Sequence, residues 1–535
     1  MPIPTVLHNQ HAARSLKRGF DKVADLLALT LGPTGGHVVS AHNIDGRPEI
    51  LTDAATIARR ILQLPDRAED VGAMLARNLA WRMQTRAGDG SATAAVLAQA
   101  LLDEGHRLAA VGANVVALRR GIDRGARAAL AALQAQARPV VNQDDLTLIA
   151  YGVTFDADLS RVLGEMVYRL GADGYITVED YVAPYLAREY LDGGRWAGRY
   201  ASPYFITDVA AQRAVLDGCQ VALAAMTVER ADDVQPLLEL AARLEGQPLV
   251  LMAESIQGAA LAALVLNHQR GAARLLGINL SNPPARRLAD FEDLAVLTGA
   301  TVLSPDVGRP LSRVTGRDLG AARQVSASAD EVIVVGDGGQ AARIQQQVAV
   351  LQTRAARLPE TDDERAFLRQ RQARLAGQTG TLKIGAYTEA ERAIIRQRAE
   401  KGLRTLPLAL REGVAWGGGV AYLNCIPAVQ AVAAEGDEAW GVAMVARALE
   451  APFRRIARNA GVAAPAAVLA EAQRRGSEFG YHAEIDEVVS FEEEGIYDAV
   501  GVLRQALETA VSGTVMALTI DTVVLHRTPK TELEP

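Results

Sequence analysis

The sequence predicts a multidomain protein of mixed α and α/β class, with an α/β domain inserted between two helical portions of a second domain. Helical periodicity dominates up to about residue 137 and returns after about residue 388, whereas short β-type runs alternate with helices between these limits. At 535 residues the chain is also too long for one hydrophobic core, so two to three domains are expected.

The N-terminal portion is predicted to be helical because apolar residues recur there at three- and four-residue steps. Leu16, Phe20 and Val23 are examples in the first amphipathic helix, which ends before the Gly-Pro turn at Gly32. The predicted helices span about residues 12–31, 70–86, 91–107 and 113–137.

The middle of the chain changes to short runs of β-branched and apolar residues, which favour strands. These predicted strands are Tyr175–Val178, Gln220–Ala224, Pro248–Met252, Thr301–Leu303 and Glu331–Val335. Residues 338–377 follow as a charged, glutamine-rich pair of helices that is interrupted at Pro359.

Composition excludes several classes of protein. The net charge is −7 and both signs are interspersed, so nucleic acid is not expected as the main partner. The two cysteines, Cys219 and Cys425, suit neither a disulfide scaffold nor a metal site, which favours a reducing cytosol. The N-terminus lacks signal-peptide features and the apolar runs are too short to span a bilayer. A cytoplasmic location without a membrane partner is expected.

Three glycine-bearing elements are candidates for chemistry: residues 30–36, 87–93 and 417–419. The first is either a helix C-cap with a turn or a loop whose backbone approaches phosphate. In the second, Ser91 is either an N-cap or one of the hydroxyls that hold phosphate beside Asp89 and Mg²⁺. The third is either a hinge or a close backbone approach to a ligand. None matches the Walker A or the dinucleotide-binding pattern.

In this order and spacing the elements resemble group I chaperonins of the GroEL type. The motifs are TLGPTGG at 30–36, LTDAATIAR at 51–59, AGDGSATAAVLAQALLDEG at 87–105 and REGVAWGGGVAYL at 411–423. Further similar stretches lie at 173–180, 199–208, 449–461 and 495–500, and the similarity extends from about residue 5 to 525. The resemblance implies the chaperonin fold: a discontinuous helical equatorial domain, a hinge-like intermediate domain and an inserted α/β apical domain.

The resemblance also implies domain boundaries. The equatorial domain would comprise residues 1–135 and 412–535, the intermediate domain 136–192 and 379–411, and the apical domain 193–378.

The function implied is that of an ATP-dependent folding chaperone. The chain would form a homo-oligomeric ring, seven-fold by resemblance, bind ATP with Mg²⁺, capture unfolded polypeptides and accept a co-chaperonin lid. The alternative is a chaperonin-derived holding or structural assembly with little or no ATP hydrolysis.

The resemblance to the family motifs implies functional roles for individual residues of this sequence. The nucleotide-binding residues would be Thr30, Leu31, Gly32, Pro33, Thr52, Asp89, Gly90, Ser91, Ala92, Thr93, Gly418, His482, Ala483, Ile496 and Asp498. Asp89 would help to hold the metal, and Asp53 matches a catalytic carboxylate near the γ-phosphate that would position the attacking water. Without the resemblance, Asp53 and Asp498 are better interpreted as solvated surface carboxylates.

A client-binding face is implied on the apical domain. Its residues would be Tyr200, Tyr204, Phe205, Leu238, Leu261, Val265 and Leu266. The last three share one face of a helix, and that stripe alone would indicate buried core. In a ring it would instead be an exposed apolar patch.

The departures from the family pattern fall on the chemistry. The family's hydrolytic aspartate lies sixteen residues before the first glycine of the triple-glycine run, and that position, 401, is a lysine here. Lysine cannot replace a carboxylate as a general base, although it could reach the γ-phosphate as a positive charge. A one-residue shift in the alignment with the family would place Glu400 at the hydrolytic position instead. Thr34 and Thr52 replace lysines near the phosphates, and His482 replaces an asparagine near the base.

Other departures concern assembly and clients. Ala464 replaces an acidic residue of the ring–ring contact, and residues 526–535 lack a Gly/Met-rich tail. Both departures are compatible with a single ring or with an altered ring–ring contact. Gln235 replaces an apolar residue of the client face.

Overall fold

The computed structural model describes residues 5–40, 49–191, 193–208, 212–244, 246–359, 362–377 and 379–525. The chain forms two compact units. The first unit comprises residues 1–172, 180–187 and 384–535, and the second unit comprises residues 173–179 and 188–383. The C-terminal segment 526–535, on which one assembly prediction depends, lies outside the described residues, and the predicted five-part domain division remains a prediction.

The N-terminal part of the first unit is mainly helical. Its helices are α1 (Asn9–Ala28), α2 (Ala54–Arg60), α3 (Arg67–Arg86), α4 (Ser91–Ala110), α5 (Val115–Ala135), α6 (Gln143–Thr154) and α7 (Ala157–Leu170). Its strands are β1 (Thr5–His8), β2 (Val38–Ser40) and β3 (Glu49–Leu51), with β2 antiparallel to β3.

The middle of the chain alternates strands and helices. The strands are β4 (Tyr175–Asp180), β5 (Leu186–Leu191), β6 (Gly194–Tyr200), β7 (Ala214–Val228), β8 (Leu249–Ile256), β9 (Leu275–Leu280), β10 (Val302–Leu303), β11 (Gly320–Ala327), β12 (Glu331–Gly336) and β13 (Thr379–Ile384). The helices are α8 (Ala231–Arg243), α9 (Gly258–Gln269), α10 (Pro284–Thr298), α11 (Ala341–Ala356) and α12 (Asp363–Leu375). Short 3₁₀ turns lie at 203–205, 305–307, 311–313 and 316–318.

The C-terminal part returns to helices. They are α13 (Glu389–Glu412), α14 (Val420–Gln430), α15 (Gly436–Ala448), α16 (Ala451–Asn459), α17 (Pro465–Arg475), α18 (Phe491–Glu494) and α19 (Val500–Leu518). The strands are β14 (Val414–Trp416), β15 (Phe479–His482), β16 (Glu487–Ser490), β17 (Tyr497–Ala499) and β18 (Thr522–Leu525). Among the described residues, no helix is both long and apolar enough to cross a membrane.

Glycines let the helices of the first unit pack closely. A Cβ on Gly19 in α1 would lie 1.7 Å from the Glu69 carbonyl oxygen in α3, and a Cβ on Gly72 would lie 1.8 Å from the Leu16 carbonyl oxygen. A larger residue at either position would therefore push the two helices apart. The two chain ends join the same unit, since β1 pairs antiparallel with β18.

A mixed seven-stranded sheet forms the centre of the second unit. Its order is β10-β7-β11-β12-β6-β9-β8, and β7 also pairs with β8. The pairings of β7 with β8 and of β8 with β9 are parallel, which requires the crossover helices α8 and α9. A separate sheet has the order β4-β13-β5.

The predicted elements are largely confirmed. The first amphipathic helix runs from Asn9 to Ala28, three residues earlier at both ends than the interval predicted for it. All five predicted strands are present, and α11 and α12 flank the predicted break at Pro359. The remaining strands were missing from the prediction: β1–β3, β5, β6, β9, β11 and β13–β18.

Candidate functional site

The loop that follows α1 has one defined path. Thr30 Oγ1 donates to a carbonyl in the last turn of α1 at 2.8 Å, and the Gly36 N–H donates back to the helix end at 2.7 Å. Gly32 has a φ of +91°, a left-handed conformation that glycine adopts without strain. Leu31 and Pro33 flank this glycine. The two hydrogen bonds and the conformation of Gly32 therefore define the backbone path of the predicted phosphate loop.

Helix α16 holds the same loop from the outside. Asn459 Nδ2 donates to the carbonyl oxygens of Ala28 and Leu31, both at 2.8 Å. Ile456 packs on Gly32, where a Cβ would lie 3.2 Å from its side chain. Sequence reasoning did not assign Asn459 or Ile456 to the site. The available signal was that both lie in one of the stretches that resemble the family.

Helix α4 begins with free donors beside a carboxylate. Gly90 has a φ of +84° and forms the N-cap, so within the described part of the chain no N-cap side chain bonds the N–H groups of residues 91–93. The Gly90 N–H donates to Asp89 Oδ1 at 2.7 Å. The hydroxyl prediction for Ser91 is wrong, because its Oγ is buried and donates to the Ala80 carbonyl at 3.0 Å. Ala92 and Ser91 can therefore offer only backbone N–H groups, an arrangement that favours anions.

The triple-glycine run connects β14 to α14. β14 pairs with β17, which places Asp498 opposite β14, and the Gly417 N–H donates to the Ile496 carbonyl at 3.0 Å. Gly419 has a φ of +84°, and a Cβ there would lie 2.8 Å from the Phe453 backbone nitrogen. These contacts show a rigid turn packed against α16, which argues against the hinge interpretation.

Phe491 connects this turn to β15. A Cβ on Gly418 would lie 3.0 Å from the Phe491 ring, and one on Gly480 in β15 would lie 2.3 Å from the same ring. β15 ends at His482, whose Nδ1 is buried and has no hydrogen-bond partner in the described part of the chain. Ala483 is nearly buried beside it. Of the predicted base-side residues, His482 thus lies at the end of β15 and Ala483 directly follows it. Phe491 joins this strand to the triple-glycine turn.

Asp498 is a half-buried carboxyl group with an unusual pKa. Burial, together with repulsion from the Asp89 carboxylate, raises the pKa of Asp498 to about 7. A group with this pKa is about half protonated at neutral pH, so it can donate a hydrogen bond as well as accept one.

Lys401 faces the carboxylate that was predicted to hold a metal. Its Nζ lies 3.0 Å from Asp89 Oδ1, and the lysine side chain is 19% exposed. Burial opposes the charged form, but the carboxylates of Asp89 and Asp53 outweigh this effect and raise the pKa of Lys401 above its usual value. Lys401 is therefore a fixed positive charge between these acids.

The register of α13 supports this placement of Lys401. Thr405 Oγ1 donates to the Ala87 carbonyl at 3.0 Å, and Gln397 Nε2 donates to Thr56 Oγ1 at 2.5 Å. These bonds lie one turn away from Lys401 on either side, on the same face of the helix. Glu400 is exposed, so the structure does not support the alternative in which Glu400 takes the hydrolytic position.

Asp53 has a structural role in addition to its electrostatic effect on Lys401. It is the N-cap of α2, and its Oδ2 accepts from the Thr56 N–H at 3.0 Å and from the Thr56 hydroxyl at 3.1 Å. Asp53 and the preceding Thr52 are half-buried, which corrects the solvated-surface interpretation of Asp53.

The residues present do not fit a magnesium ion at Asp89. Its Oδ1 already accepts from the Gly90 N–H and contacts the Lys401 ammonium. A divalent cation at this oxygen would also meet the ammonium, and two like charges repel.

The predicted client residues differ in exposure. Tyr204 is 66% exposed and Leu266 is 45% exposed. The prediction that Phe205 lies on the client-binding face is wrong, because its side chain is only 1% exposed. The Phe205 ring packs edge-to-face on His268 in the second unit. The remaining residues are half-buried: Tyr200, Leu238, Leu261 and Val265.

Comparison with known proteins identifies the class. A sequence model of the TCP-1/cpn60 chaperonin family matches residues 23–168 and 221–528. The chain therefore belongs to this chaperonin family, and family membership makes it a chaperone.

A solved structure shares the fold. The chain is similar to the chaperonin gp146 from the bacteriophage EL 2 (Pseudomonas aeruginosa), crystallised in the presence of ATP-BeFx, with a TM-score of 0.69 and 18% identity. The match covers 98% of this chain and 99% of gp146. The predicted chaperonin fold is confirmed by this match.

Proposed function

We propose that this chain is an ATP-binding subunit of a ring-shaped homo-oligomer that captures non-native polypeptides. The observation that carries the proposal is the convergence of the three glycine elements in the first unit. α16 contacts both the loop at Gly32 and the turn at Gly419, while Asp89 at the start of α4 acts on Asp498 beside that turn. The uncapped start of α4 supplies N–H donors for phosphate oxygens.

Hydrolysis is expected to be slow. Lys401 cannot accept a proton from water while it is charged, and Asp53 is engaged as an N-cap. This favours the second candidate function, a holding assembly that binds ATP with little turnover. We propose no Mg²⁺ at Asp89, because its Oδ1 already accepts from the Gly90 N–H and contacts the Lys401 ammonium.

ATP binding and turnover on the purified oligomer test this function. Titration with a fluorescent ATP analogue should give saturable binding, and phosphate release should stay near background. Lys401→Asp restores a carboxylate at this position and should raise turnover if the remaining site is intact. If nucleotide does not bind, the nucleotide site is refuted. Fast turnover by the unchanged chain would refute the holding assembly instead.

The client face is proposed from exposure as well as resemblance. Tyr204 and Leu266 expose apolar surface that an unfolded chain could cover. Replacing both by serine should abolish suppression of client aggregation. The matched control is Leu288→Ser, since Leu288 in α10 is 58% exposed. Equal loss in the control would show that exposed apolar area in general, and not this face, binds clients.

The seven-fold ring, the co-chaperonin lid and the cytoplasmic location are parts of the same proposal and come from the resemblance. Electron microscopy of the purified protein, with and without a lid protein, tests ring symmetry and lid binding. A monomer at micromolar concentration would contradict the ring.

A further inference from the structure

The position of Lys401 bears on the ionic requirement of the proposed nucleotide site. A carboxylate next to a helix N-terminus repels phosphate unless a cation lies between them. Here the cation is part of the chain, since Lys401 Nζ lies 3.0 Å from Asp89 Oδ1. The lysine is mostly buried, and Thr405 and Gln397, one turn away on either side, anchor its helix.

The surrounding charges require this cation. The carboxylates of Asp89 and Asp53 attract the Lys401 ammonium, and the Asp89 carboxylate repels that of Asp498. The guanidinium of the nearby Arg398 carries a like charge and repels the Lys401 ammonium. Without the ammonium, the Asp89 carboxylate would keep the Gly90 N–H as a donor, but its negative charge at the start of α4 would no longer be balanced by Lys401 and would repel an incoming phosphate.

We propose that the Lys401 ammonium is the resident cation of the nucleotide site, so that the chain binds the metal-free nucleoside triphosphate and gains little from Mg²⁺. The inference rests on the proposed nucleotide site. It differs from that proposal in predicting which ionic form of the ligand binds. Lysine is a compact point charge with three donors, so it can contact Asp89 and a phosphate oxygen at the same time.

The test is a titration of the full-length oligomer with ATP, once in EDTA and once in excess Mg²⁺. For the unchanged chain, the two dissociation constants should agree within about threefold. Lys401→Met should weaken metal-free binding by roughly tenfold or more, because it removes a charged hydrogen-bond donor. Lys401→Asp should bind tightly only with Mg²⁺, whereas Lys401→Arg should keep metal-free binding.

A control lysine separates a local effect from general loss of charge. Lys22 in α1 pairs with Glu69 in the same unit, and Lys22→Met should leave both dissociation constants unchanged. Thermal unfolding of each variant identifies any that fail to fold, and Lys401→Arg then decides the question on a folded protein.

The outcomes separate the inference from the proposal beneath it. Binding by the unchanged chain that tightens more than about tenfold with Mg²⁺ overturns the inference and leaves the nucleotide site standing. Equal metal-free affinity in Lys401→Met also overturns it. Absence of binding in EDTA and in Mg²⁺ overturns the nucleotide site and the inference together.

Discussion

The raised pKa of Asp498 predicts that the stability of the first unit falls as the pH rises from about 4 to about 7. In this window the folded chain keeps a proton on Asp498 that the unfolded chain has lost, because the ordinary pKa is 3.8 and the folded value is about 7. When the native state binds more protons than the unfolded state, stability decreases with pH. The loss is nearly complete about one pH unit above the folded pKa.

The magnitude follows from the difference between the two pKa values. Each unit corresponds to about 1.4 kcal/mol, so full ionisation of Asp498 would cost about 4 kcal/mol without solvent screening. The side chain is half-buried, and partial screening reduces the cost. Between pH 5 and pH 8 we therefore expect Asp498 to lower stability by about 1–3 kcal/mol.

The perturbation is Asp498→Asn, which keeps the shape and removes the charge. Urea unfolding at pH 5 and pH 8, read by pulse proteolysis and mass spectrometry at peptides from α19, reports on the first unit by itself. The asparagine variant should lose about 1–3 kcal/mol less than the unchanged chain between the two pH values. Asp144→Asn, at an exposed position in α6, is the control. If Asp498→Asn retains the full pH dependence, the reasoning about its burial is refuted.

Two further variants test the scaffold of the site. Asn459→Ala removes the side-chain donor of the Leu31 carbonyl and one of several donors to the Ala28 carbonyl, and should cost about 1–3 kcal/mol in urea unfolding and weaken ATP binding. Asn424→Ala, which removes one bond to a single carbonyl at 2.8 Å, should affect stability and not binding. Gly419→Ala adds left-handed strain and a contact 2.8 Å from a backbone nitrogen, and should destabilise by about 2–4 kcal/mol. Gly436→Ala has a φ of +55° but meets nothing within 4 Å, so it isolates the strain alone; equal losses in the two glycine variants would contradict the packing argument.

Local periodicity explains why much of the fold was predictable. The helices of the first unit carry apolar residues at helical spacing, and the strands β8 and β12 are short apolar runs bounded by turn residues. The predicted run at 220–224 is the central part of the longer strand β7. β6 and β13 were not predicted as strands, because their sequences mix glycine and charged residues with few apolar ones: Gly194–Tyr200 and Thr379–Ile384. Their place in a sheet depends on partners distant in the chain, and a single local window contains no such information.

The site was predictable as a set of segments and not as a set of contacts. The glycine elements could be found because positive φ and close approach require glycine, as Gly90 and Gly419 illustrate. The direction of a side chain could not be found in this way. Whether the Ser91 hydroxyl faces a ligand or the Ala80 carbonyl, and whether Phe205 is exposed like Tyr204, depends on tertiary packing.

The presence of lysine instead of an acid at position 401 bears on both the binding and the cleavage of ATP. A carboxylate here could activate water, whereas the ammonium removes that capacity and also neutralises Asp89. The lysine at this position is therefore expected to favour ATP binding and to disfavour ATP cleavage. A ligand can shift a conformational equilibrium only by its differential affinity for the two states, so binding alone can drive one change of state. Without cleavage, return depends on nucleotide dissociation, and the dwell time of a captured client should follow the off-rate of ATP. Measuring client release and ATP dissociation in the same preparation tests this link, and client release faster than nucleotide release would break it.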